Sequence, residues 1–202
     1  MKRIFLSAVL LIGLGVAQMS AQNVTGGLKV EANTSNFILS DMDGIKSKLG
    51  IGVTVGGVGT IEFNDKFAFR PELLLHLKNS VMKNEAYGAE MDFQYFGVEI
   101  PLYAVGQFDV FNGKGFVGLG PYVGFGIDAR YKASGTDDIK LYDDSAMQRW
   151  DFGAGILLGY EFSNNLQINA GYKIGFINAL DAGKDNASML NQTISLGLAF
   201  RF

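Results

Sequence analysis

Thr193–Phe202 reads TISLGLAFRF. Its residues alternate with a period of two, the repeat of a β-strand rather than a helix. Ile194, Leu196, Leu198, Phe200 and Phe202 share one face, and Thr193, Ser195, Gly197, Ala199 and Arg201 share the other. So apolar a face needs a cover, either a soluble core or the acyl chains of a bilayer. The opposite face decides between them, because a mixture of glycine and charge is not an ordinary solvated surface.

The same alternation runs along most of the chain. It predicts eight strands: Val24–Asn33, Lys48–Phe63, Lys66–Lys78, Met91–Phe108, Gly115–Tyr131, Gln148–Phe162, Leu166–Asn178 and Gln192–Phe202. The connections between them alternate in length. NDK (Asn64–Lys66), DVFNGKG (Asp109–Gly115) and SNN (Ser163–Asn165) are short and rich in turn residues. TSNFILSDMDGIKS, NSVMKNEAYGAE, KASGTDDIKLYDDSA and ALDAGKDNASML are longer and polar. Short turns on one side and long loops on the other, with an even strand number, predict an all-β, eight-stranded antiparallel up-and-down transmembrane β-barrel.

The two faces fit lipid outside and a filled lumen inside. Trp150, Phe152, Ala154, Ile156, Leu158, Tyr160 and Phe162 oppose Asp151, Gly153, Gly155, Leu157, Gly159 and Glu161. Phe67, Phe69, Pro71, Leu73, Leu75 and Leu77 oppose Ala68, Arg70, Glu72, Leu74, His76 and Lys78. An eight-stranded interior is just wide enough for side chains, so glycine leaves volume for long charged ones to cross it. Two aromatic girdles are expected: Phe63, Phe67, Phe108, Phe116, Phe162 and Phe202 by the short turns, and Phe93, Tyr95, Tyr131, Trp150 and Phe176 by the long loops. Hydrocarbon offers no water to an open sheet edge, so the last strand must pair with the first.

Lys2 and Arg3, the apolar run Ile4–Val16 and the small residues up to Ala21 read as a signal peptide over 1–21, leaving a barrel domain at 22–202. No later stretch is apolar for the ~20 residues that a membrane helix needs. A net charge of −3 gives no electrostatic case for nucleic acid, and the absence of cysteine excludes disulfides and thiolate metal sites.

VTGGLKVEANTSN (Val24–Asn36), FAFRPELLLHLKN (Phe67–Asn79), FGVEIPLYAVGQF (Phe96–Phe108) and GFVGLGPYVGFGI (Gly115–Ile127) resemble successive strands of the PorT-family outer-membrane β-barrel domains of the Bacteroidetes. The terminal aromatic Phe202 resembles the signal that such barrels present to the assembly machinery. This resemblance implies an eight-stranded barrel in the outer membrane; some members are linked to protein secretion. All three prolines, Pro71, Pro101 and Pro121, fall inside predicted strands, where bulges are expected.

The inward face carries Lys29, Arg70, Lys78, Arg130, Lys173 and Arg201 against Glu31, Glu62, Glu72, Glu99, Asp128, Asp151 and Glu161. Signs this evenly balanced read as a neutralised network plugging the lumen, in preference to a solute conduit or proton path. His76 is the only histidine, with Glu72 on its face and Ser80 near the loop, but no nucleophile motif surrounds Ser80. An inward, hydrogen-bonded histidine is the simpler reading than a lipid-modifying hydrolase. The loop acids Asp41, Asp43, Asp137, Asp138, Asp143 and Asp144 read as solvated charge rather than a cation site bridging lipopolysaccharide phosphates, since DMDG lacks the later acidic ligand of a calcium loop. No catalytic, cofactor or metal site is expected. The expected partners are outer-membrane lipid and lipopolysaccharide, the barrel-assembly machinery, and another envelope protein docked on the long loops. The rival readings are a narrow channel or transporter for small solutes, a lipid-modifying hydrolase, and a soluble ligand-binding barrel.

Overall fold

A computed structural model of the chain describes residues 24–40, 45–84, 90–132, 139–142, 147–179 and 188–202. The strands are β1 (Val24–Ser40), β2 (Ile45–Asn64), β3 (Phe67–Asn84), β4 (Glu90–Val110), β5 (Gly113–Lys132), β6 (Ile139–Lys140), β7 (Trp150–Glu161), β8 (Leu166–Gly175) and β9 (Ser188–Arg201). Every pairing is antiparallel, and all join neighbours in sequence except that β5 continues to β7, with the two-residue β6 a spur on β5, and that β9 returns to β1. The β1–β9 ladder, from Gly27↔Arg201 to Ser40↔Ser188, closes the ring of eight long strands. Phe202 is part of that closure, since its N–H donates to the Gly26 carbonyl at 2.9 Å. The expected signal peptide and the loop acids lie outside the described residues.

The orientation follows the alternation. Ile194, Leu196 and Leu198 are 50%, 68% and 48% exposed on the outer wall, whereas Arg70 and Lys173 are 3% and 5% exposed within the lumen. Phe63, Phe67, Phe108, Phe162 and Phe202 form an exposed girdle at the short-turn end. At the other end Trp150, Phe152 and Phe176 are exposed, and Trp150 stacks edge-on against Phe125 at 4.9 Å. Three residues assigned to the girdles are not there. Phe93, Tyr95 and Phe116 are inward and buried, because their strand phase, not their nearness to a turn, sets the side they face. The side chain of Tyr131 lies outside the described residues.

β1–β5 and β9 are longer than hydrophobic alternation predicts, whereas β7 and β8 are shorter than the expected Gln148–Phe162 and Leu166–Asn178. Parts of the expected loops are ladder: β1 runs on to Ser40, β2 starts at Ile45, β3 reaches Asn84 and β4 starts at Glu90. Apolar alternation marks only the stretch in hydrocarbon, whereas a formed ladder propagates into water with polar residues. β7 and β8, of 12 and 10 residues, are close to the ~9–11 that a tilted strand needs to cross. β1–β5, of 17 to 21 residues, therefore stand above the membrane on one side of the ring.

The prolines do not mark bulges. Each lies in a two-residue gap in one ladder, without a change of register. Pro71 falls in the β2–β3 gap between Val58↔Glu72 and Ile61↔Phe69. Pro101 falls in the β3–β4 gap between Pro71↔Leu102 and Leu74↔Glu99, and Pro121 in the β4–β5 gap between Pro101↔Tyr122 and Ala104↔Leu119. A missing donor interrupts the ladder on one side of the strand and leaves the other intact, as in Pro121↔Ala154. The register shifts occur instead at Leu49/Val53 and Glu62/Asn64 in β2–β3 and at Phe96/Gly97 in β4–β5.

Candidate functional site

The lumen holds the chain's buried charge. At the short-turn end Arg201 pairs with Glu62 at 2.6 Å and with Glu161. Gln167 donates to Glu161 at 2.5 Å and accepts from Arg70 at 2.9 Å. Arg70 pairs with Glu72 at 2.8 Å, Glu72 with Lys29 at 2.9 Å, and Lys29 with Glu31 at 2.9 Å. The Ser195 hydroxyl donates to Glu31 at 3.3 Å. One continuous chain of contacts thus crosses the lumen, drawing on β1, β2, β3, β7, β8 and β9. Glu99 of β4 centres a second cluster, with Lys173, with Lys78 at 3.3 Å and with His76 Nδ1 at 3.9 Å. Above it Asp151 accepts from Tyr122 and Asn191, each at 3.0 Å.

Glycine makes this filling possible. A Cβ at Gly197 would lie 2.5 Å from the Glu31 side chain, and one at Gly155 would lie 2.9 Å from both Lys173 and the Tyr103 hydroxyl. Beside these charges an apolar patch of the inner wall brings together Ala68, Tyr103, Val105, Phe116 and Leu157 from β3, β4, β5 and β7. Arg70 rests on it, its guanidinium carbon 5.2 Å from the Phe116 ring centroid.

Of the expected interior network, Lys29, Glu31, Glu62, Arg70, Glu72, His76, Lys78, Glu99, Asp151, Glu161, Lys173 and Arg201 are brought together. Asp128 and Arg130 are not. They pair with each other at 2.6 Å, with side chains 37% and 40% exposed, on the outer wall opposite Phe96 and Gln94. The bulge at Ile127 is the cause: one extra residue in β5 inverts its phase, so Gly126 and then Ala129 face inward. Strict alternation carried through to Tyr131 cannot detect that insertion. The uncharged Gln167 and Ser195 complete the chain of contacts, and Asn33 donates to Thr54 at 2.9 Å elsewhere in the interior; their strand phase puts all four inside, but without charge they stand out from no other polar residue in the sequence.

The extracellular mouth is closed by an apolar layer of Phe37, Phe93, Tyr95, Ala129, Leu141, Tyr142 and Met189. Phe37 and Phe93 meet edge-on at 5.1 Å. His76 and Ser80 both point into the lumen, each 2% exposed, and are four positions apart on β3. At roughly 3.3 Å per residue that is about 13 Å, too far for a nucleophile and its base.

A closed ring of eight antiparallel strands, greasy outside and ionic within, defines a bacterial outer-membrane barrel. Residues 16–181 match the family described as outer membrane protein beta-barrel domain, and the chain belongs to it. No curated protein matches it by sequence. Among solved structures, OprG from Pseudomonas aeruginosa is similar at 13% identity and a TM-score of 0.50, covering 89% of this chain and 97% of that one. Neisserial surface protein A (NspA) follows at 18% identity and 0.49, covering 90% and 100%. Ail of Yersinia pestis, in complex with the heparin analogue sucrose octasulfate, follows at 16% and 0.48, covering 90% and 100%. The likeness to OprG is one of fold alone.

Proposed function

We propose that this chain is a closed, non-conducting outer-membrane barrel with a structural or protein-interaction role, of the PorT type, exported on the signal peptide 1–21 and inserted by the barrel-assembly machinery through its Phe202 end. The observation that carries the reading is the filled lumen. Paired charges span it from Glu62 to Glu31, the Glu99 cluster continues above, and an apolar layer closes the mouth. Outer-membrane lipid and lipopolysaccharide surround the wall. The strands β1–β5 rise above it on one side, and that raised rim is where another envelope protein docks. Conduction would require the ion pairs to part, and buried partners that part are costly. Hydrolysis of lipid is disfavoured because His76 lies inside the barrel, away from any acyl substrate.

Planar bilayers test the proposal. The purified barrel should give no stable unitary conductance steps; reproducible steps would establish a channel instead. Crosslinking from the loop ends in intact cells should capture a discrete envelope protein. Recovery of lipopolysaccharide alone would leave a purely structural role.

A further inference from the structure

Two short turns flank the β5–β7 pairing, and each holds a residue other than glycine at positive φ: Phe111 at 51° and Asn165 at 65°. Asparagine tolerates that region, whereas a bulky side chain is strained there. Val110 pairs with Gly113, so Phe111 is the first of two turn residues, a position that tight hairpins give to glycine or asparagine. Phe111 is also 97% exposed, the most exposed large apolar side chain among the described residues. A strained residue that its own fold does not bury points to a contact outside the chain.

Phe111 and Asn165 line one groove of about 330 Å³, together with Phe162, Asp109 and Lys114. The groove is preformed. The Tyr160 hydroxyl donates to the Val110 carbonyl at 3.1 Å, and a Cβ at Gly113 would come 2.2 Å from the Glu161 carbonyl oxygen, so the β4–β5 turn lies tight against β7. It begins at the bilayer surface, because Phe162 belongs to the exposed girdle of the short-turn end and Phe108 of the same girdle leads into the other turn. Its charges form a dipole. Asp109 and Lys114 stand opposite each other in the β4–β5 ladder, yet neither makes an ion pair among the described residues. Glu161, the other cross-strand neighbour of Lys114, is taken up by Arg201 and Gln167.

We propose that this groove holds the phosphoethanolamine headgroup of one phospholipid from the leaflet that faces the short turns. Lys114 takes the phosphate, Asp109 takes the ammonium, and the rings of Phe111 and Phe162 flank the glycerol and the first acyl carbons. Continuity with the wall selects this occupant: acyl chains already cover Phe108 and Phe162, so a lipid reaches the groove without leaving its leaflet. Its headgroup also carries both charges that the groove matches. Covering Phe111 with lipid offsets the strain of its turn. The inference goes beyond the closed lumen and holds whether or not the barrel conducts.

The test is native mass spectrometry of the barrel, stripped of lipid in micelles and then given dimyristoyl phosphatidylethanolamine or dimyristoyl phosphatidylglycerol. The unaltered barrel should retain one phosphatidylethanolamine above the statistical background, and several-fold less phosphatidylglycerol, which lacks the ammonium. Lys114→Gln should cut that retention about tenfold, the worth of one hydrogen bond to a charged group, and Lys114→Arg should keep it. Phe111→Asn should also lose it, whereas Phe63→Ala, on the same girdle but away from the groove, should not. Asparagine fits the turn, so Phe111→Asn should unfold at an equal or higher midpoint in lipid-free micelles; a lower one would assign Phe111 to packing and overturn the proposal. Retention that survives Lys114→Gln and Phe111→Asn, equal retention of the two lipids, or loss in Phe63→Ala as well would each overturn it. So would a photo-crosslinker at Asn112 that captures a periplasmic protein and no lipid in intact cells, which would make the groove a protein site.

Discussion

Glu99 shows at the level of one side chain why the lumen is set in its charge state. It is 1% exposed and faces three basic side chains, Lys173, Lys78 and His76. An isolated carboxylate there would be intolerable; one paired with two lysines holds three strands, β3, β4 and β8, in a single arrangement. Removing one partner of a buried pair is worse than removing both, because the survivors keep their charge without compensation. Glu99→Leu leaves two lysines in that condition, so the barrel should lose roughly 3–5 kcal/mol against urea unfolding in lipid. Combining Glu99→Leu with Lys173→Met and Lys78→Met should recover most of that loss. If the single substitution costs less than the triple, the cluster does not act as a unit.

At the scale of the strand, one inserted residue reassigns a whole stretch. Ile127 is the extra residue of β5, and above it the inward positions change from even to odd numbers. Deleting Ile127 should restore the phase, drive Asp128 and Arg130 into the mouth and turn Ala129 outward. The chain has no cysteine, so Asp128→Cys is a clean probe. On intact cells a membrane-impermeant maleimide should label it in the parent and label it at least several-fold less after the deletion. Equal labelling in both would mean that the bulge does not set the phase. The same residue marks where the sequence stopped being legible. Eight strands, their faces and the closure of β9 on β1 follow from alternation, because a period of two maps directly onto inside and outside. Asp128 and Arg130 were misplaced because an insertion leaves no mark in composition. The extent of β1–β4 was underestimated because polar strand and polar loop look alike once the chain leaves the hydrocarbon. The proline gaps could not be told from bulges, since both answer a missing N–H and only the pairing register separates them.

For the whole molecule, the decisive quantity is the depth of the apolar band. The outer wall of β9 carries Phe200, Leu198, Leu196 and Ile194 and then Gln192, whose amide donates to the Tyr172 hydroxyl at 3.0 Å. Gln192 is the first polar side chain of that outer row and lies level with Ile174 of β8, next to the girdle residue Phe176. An arginine on the lipid face costs about 2–4 kcal/mol at the midplane and about 0–1 kcal/mol near the interface. Leu196→Arg should therefore destabilise the barrel in bilayers by a few kcal/mol, and Gln192→Arg, four residues away on the same face of the same strand, by about 1 kcal/mol or less. Reversible urea unfolding in vesicles of one lipid composition compares them directly. A large difference requires a dielectric gradient along β9, which only a bilayer supplies. Equal costs would mean that Leu196 faces water, and the closed, ion-filled cylinder would then have to be a soluble barrel turned inside out, with its apolar side chains on the surface and its charges in the core. Such an arrangement has no driving force in water, because burial of apolar area is what stabilises a soluble fold. The ionic lumen and the exposed aliphatic wall are thus consequences of one solvent. The pair of arginine substitutions measures that solvent where the wall meets it.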